Sequence, residues 1–240
     1  KVLLKMLTRR HIRIKVMQSL YSLSNSSDIT LKSHLEFFKS TIRKSFDLYY
    51  LLISIFKFIT HKAHEKLKIQ KNNHTNANGF LETRILENPF FIYINKIKSI
   101  ENYLKKRKIN NWKTDDKYIN EIYNSLDSLI DFDHNIDILN FDNNLFCVNF
   151  YKDFIASSNK LYEYIEDSEL TWVDDFPVVN TYILKQIKSF YFEPSQNPRI
   201  PIYNIKQDEI VFGIDLLNHV LRNNELLNKE IIGRTPNWEF

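Results

Sequence analysis

The residues of this chain best suited to chemistry stand near its start, in Thr8-Arg9-Arg10-His11-Ile12-Arg13-Ile14-Lys15. Thr8 is placed to cap a helix, and Arg9, Arg10, Arg13 and Lys15, with His11, then crowd cations into its first two turns. The helix dipole is positive at that end, so each cation there costs about a few tenths of a kcal/mol. A purely structural helix would more often open on Asp or Glu. The arginine fork also matches phosphate oxygens and base edges. The pattern points to contact with RNA or another phosphate; the bland alternative is a solvated basic face.

Other candidates carry less. Lys105-Lys106-Arg107-Lys108 is a second basic cluster, but it falls at a predicted helix end, where cations complement the dipole. His61 and His64 are three apart and share a helix face, yet no third ligand and no cysteine pair fits a zinc site. Asp115-Asp116 and Asp174-Asp175 resemble acid/base pairs only on paper. Adjacent helical residues point apart, and both pairs suit the start of a helix. No Gly-x-Ser-x-Gly elbow, Walker loop or dinucleotide fingerprint is found. The reading is of a chain without catalytic residues, without a metal and without a cofactor. Trp112, Trp172 and Trp238 are expected as packing wedges rather than stacking platforms.

The elements that must position these residues read as helices. With 3 Gly and 6 Pro in 240 residues, the backbone positions that sandwiches, Rossmann units and phosphate loops demand are scarce. Hydrophobic residues make up 43% of the chain and aromatics 14%, enough for a substantial core. The net charge of +4 is mild and matches a Lys-, Asn- and Ile-rich composition, so position rather than total charge carries the argument. The lone Cys147 in Leu145-Phe146-Cys147-Val148 has no partner for a disulfide, which makes a reduced, cytoplasmic setting the default expectation. The apolar run Leu48 to Ile59 falls short of the roughly 20 residues a span needs, so a buried helix is expected and no membrane association.

Ile12, Val16, Leu20 and Leu23, widened by Met17 and Tyr21, predict a first helix from Thr8 to Leu23. Apolar residues from Leu35 to Leu67 keep a three–four spacing that predicts one long helix over Thr30 to Lys68, a spine for its domain. Lys71 to Gly79 reads as a polar, mobile loop. Beyond it lies an internal repeat: Asp142 to Trp172 matches Asp208 to Trp238 at an offset of 66, with Phe146 opposite Phe212 and Ile155 opposite Leu221. A weaker copy, interrupted by Pro89, ends at Trp112. Each copy is expected as a helix ended by Trp, after which Asp-Asp opens the next. These readings give an all-α bundle of about seven to eight helices. Residues 1–80 form a first region of basic helix, long helix and polar loop, and residues 81–240 hold the helical repeats. Met6 reads as a natural start, and the third copy as cut short after Trp238-Glu239-Phe240.

Arg9 to Lys15, running into Val16-Met17-Gln18-Ser19-Leu20-Tyr21, resembles the opening of the bacterial NusB transcription antitermination family, in which an Arg-rich stretch enters a helix with a Gln-small-Leu-Tyr ending. Trp172-Val173-Asp174-Asp175 and Arg234-Thr235-Pro236-Asn237-Trp238-Glu239 are similar to an extended form of that family with inserted helices. The resemblance implies two small helical bundles and binding to the single-stranded boxA element of ribosomal RNA transcripts. It also implies a NusE-type ribosomal protein as partner and entry into the RNA polymerase antitermination complex. By that resemblance the RNA-binding residues are Arg9, Arg10, Arg13, Lys15 and Gln18. The family's C-terminal bundle, which ends in a Phe-Val-Asn-Gly-Val-Leu-Asp-type motif, has no counterpart before Phe240. Two other readings stay open. One is a helical protein-interaction scaffold without RNA binding. The other is a domain of the kind fused to ribosomal RNA cytosine methyltransferases, for which the chain lacks a Gly-rich cofactor domain.

Overall fold

The computed structural model describes residues 6–23, 30–72, 79–132, 143–190 and 207–234. Residues 73–78 of the expected polar loop, the 24–28 turn, Trp238 and both chain ends lie outside them. Among the described residues every regular element is helical. The all-α expectation holds, but the number of helices does not: twelve α-helices and one π-helical stretch replace the seven to eight expected.

The excess arises where apolar periodicity continues across a backbone break. The stretch before Trp112 reads as one interrupted helix, but it forms three: α3 (Phe80–Glu87), α4 (Pro89–Lys96) and α5 (Lys98–Arg107). At the first break Asn88 leaves helical geometry, and its side chain accepts from Phe90 N at 2.9 Å while Pro89 opens α4. A proline at the first helical position loses nothing, because its missing N–H would be unpaired there anyway. The turn α6 (Asn111–Thr114) carries Trp112 and leads into α7 (Asp116–Phe132).

The two stronger copies break at corresponding positions, which corrects the expectation of one helix per copy. Each of these two is a pair of helices, whereas the weaker copy before Trp112 is the three helices already described. α8 (Asn143–Phe150) continues as the π-helical segment Tyr151–Ala156, breaks at Ser157-Ser158, and is followed by α9 (Asn159–Ser168). Shifted by the same offset, α11 (Gln207–Arg222) breaks at Asn223, and α12 (Asn224–Arg234) follows. Trp172 does not end a helix but opens α10 (Trp172–Lys188), which puts Asp174 and Asp175 in its first turn, as the dipole favours.

The chain divides into two compact units, one of Lys1–Leu4 with Ser45–Ile202 and one of Lys5–Lys44 with Tyr203–Phe240. The long helix α2 (Leu31–Asn72) contributes to each. Thr30 and Ser33 cap its start reciprocally, Thr30 N–H donating to Ser33 Oγ at 3.0 Å and Ser33 N–H to Thr30 Oγ1 at 3.2 Å.

In the larger unit α2 is the central post. Every residue from Ser45 to Phe56 is buried, the condition of a helix surrounded on all sides. Phe56 sits edge-on to Phe90, Phe91 and Phe150 at 4.9–5.3 Å. Trp112 Nε1–H donates to the Leu51 carbonyl at 2.8 Å, and Ser45 Oγ–H donates to Asp175 Oδ2 at 2.7 Å. The polar groups on this post are thus answered from α6 and α10, which keeps their burial from being costly. Cys147 is buried and its thiol donates to Asn88 Oδ1 at 3.1 Å. Among the described residues no helix is long and apolar enough to cross a membrane.

Several phenols share this core. Burial, reinforced by Tyr182, holds the Tyr49 hydroxyl well above its ordinary pKa, and burial does the same to Tyr151; Tyr182 is pushed up to about 12. A phenol whose folded pKa exceeds the unfolded value keeps its full contribution below about pH 10. Above that pH the unfolded chain releases a proton that the folded chain retains. Stability then falls by about 1.4 kcal/mol per pH unit for each such group. Helicity followed against pH should therefore collapse cooperatively above pH 10, with the tyrosinate absorbance rising in the same transition. Titration of all 13 tyrosines near pH 10 with helicity intact would refute this account of the core.

Candidate nucleic-acid interface

The smaller unit holds the first helix, α1 (Arg9–Leu23). Thr8 does begin it: its carbonyl accepts from Ile12 N at 3.0 Å. His11 stands at the third helical position and reaches back, so that Thr8 N–H donates to His11 Nδ1 at 3.1 Å. That is the part a glutamate plays in a capping box, filled here by a residue that adds no negative charge to a basic helix start.

Ile12, Val16 and Ser19 turn α1 inward and are buried. Ser19 Oγ–H donates to the His34 carbonyl at 2.8 Å, and His34 Nδ1 lies 3.0 Å from the Ser19 carbonyl, a contact that calls for the Nδ1–H tautomer. This pair clasps α1 to the first turn of α2. Helix α11 closes the third side through Gly213. A Cβ built there would lie 2.2 Å from Phe38 Cζ and 2.8 Å from Ile12 Cγ2, so only glycine admits this approach.

The outer face differs from the expectation in both directions. Arg9, Arg10 and Arg13 are exposed, and none has a described carboxylate within 4 Å. Lys15 departs from them: it is only 2% exposed and is not part of the surface patch. Its angular position explains this, since a residue two beyond Arg13 points some 200° away on a helix of 3.6 residues per turn. Gln18 is half-buried. Met17 and Tyr21, expected to widen the buried stripe, are instead 62% and 80% exposed. At 100° per residue Arg9, Arg13, Met17, Arg10 and Tyr21 fall within an arc of about 120°.

Phe212 of α11 is the other residue that sequence reasoning passed over. The guanidinium carbons of Arg9 and Arg13 stand 5.1 and 5.6 Å from its ring centroid, so the two arginines, one turn apart, share one ring. The repeat held a signal for this. Phe146, at the equivalent place in the other copy, also lies under an arginine, Arg84 at 5.5 Å. The ring orients the two forks while their N–H groups stay open to a ligand. The described residues of the smaller unit include eleven Lys and Arg against six Asp and Glu; α1 has no acidic residue, while Asp208, Glu209 and Asp215 stand on α11 within four residues of Phe212.

The second basic cluster comes apart in the structure. Arg107 turns to the buried Asp47, with Nε–H to Oδ1 at 2.8 Å and Nη2–H to Oδ2 at 2.7 Å, while Tyr103 O–H donates to the same carboxylate at 2.9 Å. The hydrogen bond to Asp47 raises the Arg107 pKa, and burial raises that of Tyr103. Arg107 is therefore a fastening between α2 and α5. His61 is exposed and meets Glu65 at 3.5 Å. Among the described residues no group of three His, Cys, Asp or Glu is placed to hold a metal ion. Comparison with protein-family models, with curated proteins and with solved structures finds no match to this chain.

Proposed function

We propose that this chain is a non-enzymatic RNA-binding adaptor of the NusB type that engages single-stranded, boxA-like RNA through the outer face of α1. The observation that carries the reading is the composition of that face: Arg9, Arg10 and Arg13 unpaired by carboxylates, with the exposed ring of Tyr21 in the same arc. Arginines neutralise phosphates and a solvent-exposed phenol ring can stack an unpaired base, the two requirements of single-strand recognition. A NusE-type protein and the antitermination complex are the partners this reading entails.

Fluorescence anisotropy with a labelled single-stranded boxA-like RNA tests it. Arg9→Ala with Arg13→Ala should weaken binding by about tenfold or more at moderate salt and lower the slope of log affinity against log salt by about two. Tyr21→Ala should weaken binding by about 1–3 kcal/mol, the worth of one stacked base. Helicity should be unchanged in both. If the arginine variant keeps its affinity, or wild type shows no salt-sensitive RNA binding, α1 is a surface of a protein-interaction scaffold instead.

A further inference from the structure

In the larger unit a groove of about 1220 Å³ runs between α2, α4, α5 and the α6 turn. Its volume exceeds the roughly 300–1,000 Å³ of small-molecule sites, so a segment of a macromolecule suits it better than a metabolite. Five lysines line it, Lys57, Lys96, Lys105, Lys108 and Lys113, against one carboxylate, Glu101. Lys57 takes that carboxylate at 2.7 Å, which leaves four exposed ammonium groups with no described carboxylate within 4 Å. Between them lies an aliphatic floor that includes Leu86, Ile92, Leu104 and Ile109, all half-buried.

Lys108 adds a second observation. It ends α5 with φ of 57°, the only non-glycine residue at positive φ among the described ones. Glycine is the usual occupant of such a helix end, and a residue with a Cβ is strained there. The side chain at this strained position is one of the lysines of the groove.

We propose that this groove docks an acidic amphipathic helix of a partner protein, its apolar residues on the aliphatic floor and its carboxylates among Lys96, Lys105, Lys108 and Lys113. Single-stranded nucleic acid is the less fitting occupant. It needs open aromatic rings for stacking, whereas of the three Phe and Trp rings that line the groove Phe91 and Trp112 are 1% and 2% exposed and Phe58 is half-buried. An extended peptide satisfies its backbone on a sheet edge, and no strand is described here; a helix brings its own hydrogen bonds. The groove belongs to a different unit from α1, and the proposal is independent of RNA binding.

The probe is a fluorescein-labelled helical peptide with leucines at i, i+3, i+4 and i+7 and glutamates on both flanks. The full chain should bind it, more weakly as salt rises. Lys105→Glu with Lys113→Glu should weaken binding by about tenfold. Lys108→Gly should weaken it severalfold while raising the melting temperature, because strain is relieved as a charge is lost; a purely structural Lys108 would change only the melting temperature. The Arg9→Ala, Arg13→Ala variant should bind the peptide as wild type does, which separates this site from the RNA reading. No binding by wild type, equal binding of the peptide with lysines in place of glutamates, or unchanged affinity in both groove variants overturns the proposal. A uridine homopolymer that binds wild type and is lost in the Lys105→Glu, Lys113→Glu variant also overturns it and gives the groove to nucleic acid.

Discussion

Phe56→Ala is expected to lower the unfolding free energy by about 3–5 kcal/mol, the usual cost of truncating a fully enclosed phenylalanine. Phe56 has 0% exposure. Its ring meets Phe90 and Phe91 of α4, Phe150 of α8 and, stacked at 6.1 Å, Tyr151 of the π-helical segment. Two helical segments, α4 and the continuous α8 with its π-helical extension, therefore rest on one side chain of the central post, and the cavity cannot close unless both move. For a chain of this size the loss corresponds to a fall of roughly 10 °C in the thermal midpoint. Phe56→Leu, which keeps much of the volume, should lose less than half as much. A drop below about 1 kcal/mol for the alanine variant would show that the elements hold one another without Phe56, contrary to the ring contacts.

The second large effect is expected at Gly213. Its Cα approaches α1 and α2 so closely that even a methyl group meets Phe38 Cζ at 2.2 Å and Ile12 Cγ2 at 2.8 Å. Phe38 and Ile12 are both fully buried and have nowhere to retreat. Overpacking of a close core contact costs about 1–3 kcal/mol, and a β-branched residue here sits at or beyond the upper end. Gly213→Val should destabilise the smaller unit, moving Phe212 from beneath Arg9 and Arg13 and weakening RNA binding although no RNA-contacting residue has changed. Gly233, with open space around it, is the control: Gly233→Ala should be neutral or slightly stabilising, since Gly233 lies in the last turn of α12 without a positive φ and alanine suits a helix at least as well. Hydrogen exchange resolved along the chain would measure both. Equal protection of α1 in wild type and Gly213→Val would refute the packing argument.

Gly213 also marks the limit of what could be read in advance. The glycine stands out in a chain with three, but the sequence offers no means of knowing that Phe38 and Ile12 converge on it. Local patterns were legible because their causes are local. The spacing of Ile12 and Val16, the place of Thr8 at the start of α1, the largely apolar run from Leu48 to Ile59 and the offset of the repeat all depend on neighbours a few residues away or on a period. Helix type, the buried stretch of α2 and the cations of Arg9, Arg10 and Arg13 followed from them. The helix number did not, because apolar periodicity runs on through Asn88, Ile97 and Ser157-Ser158 while the backbone turns.

Charge and exposure were settled by tertiary structure. Arg107 and Lys108 are neighbours in one basic run, yet Asp47, sixty residues away, draws Arg107 inward and leaves Lys108 at a groove. Lys15 and Arg13 belong to one cationic stretch, yet only Arg13 faces out, toward a phenylalanine from the far end of the chain. Tyr21 and Met17 look like core residues by type and spacing and are surface residues in fact. Which face of a helix is covered depends on the partner that arrives there, and that partner is fixed by the packing of distant segments. What the sequence alone determined was the helical class of the described residues and the presence of a basic helix at Arg9–Leu23. Which of that helix's residues stand together, and over which ring, only the tertiary structure decided.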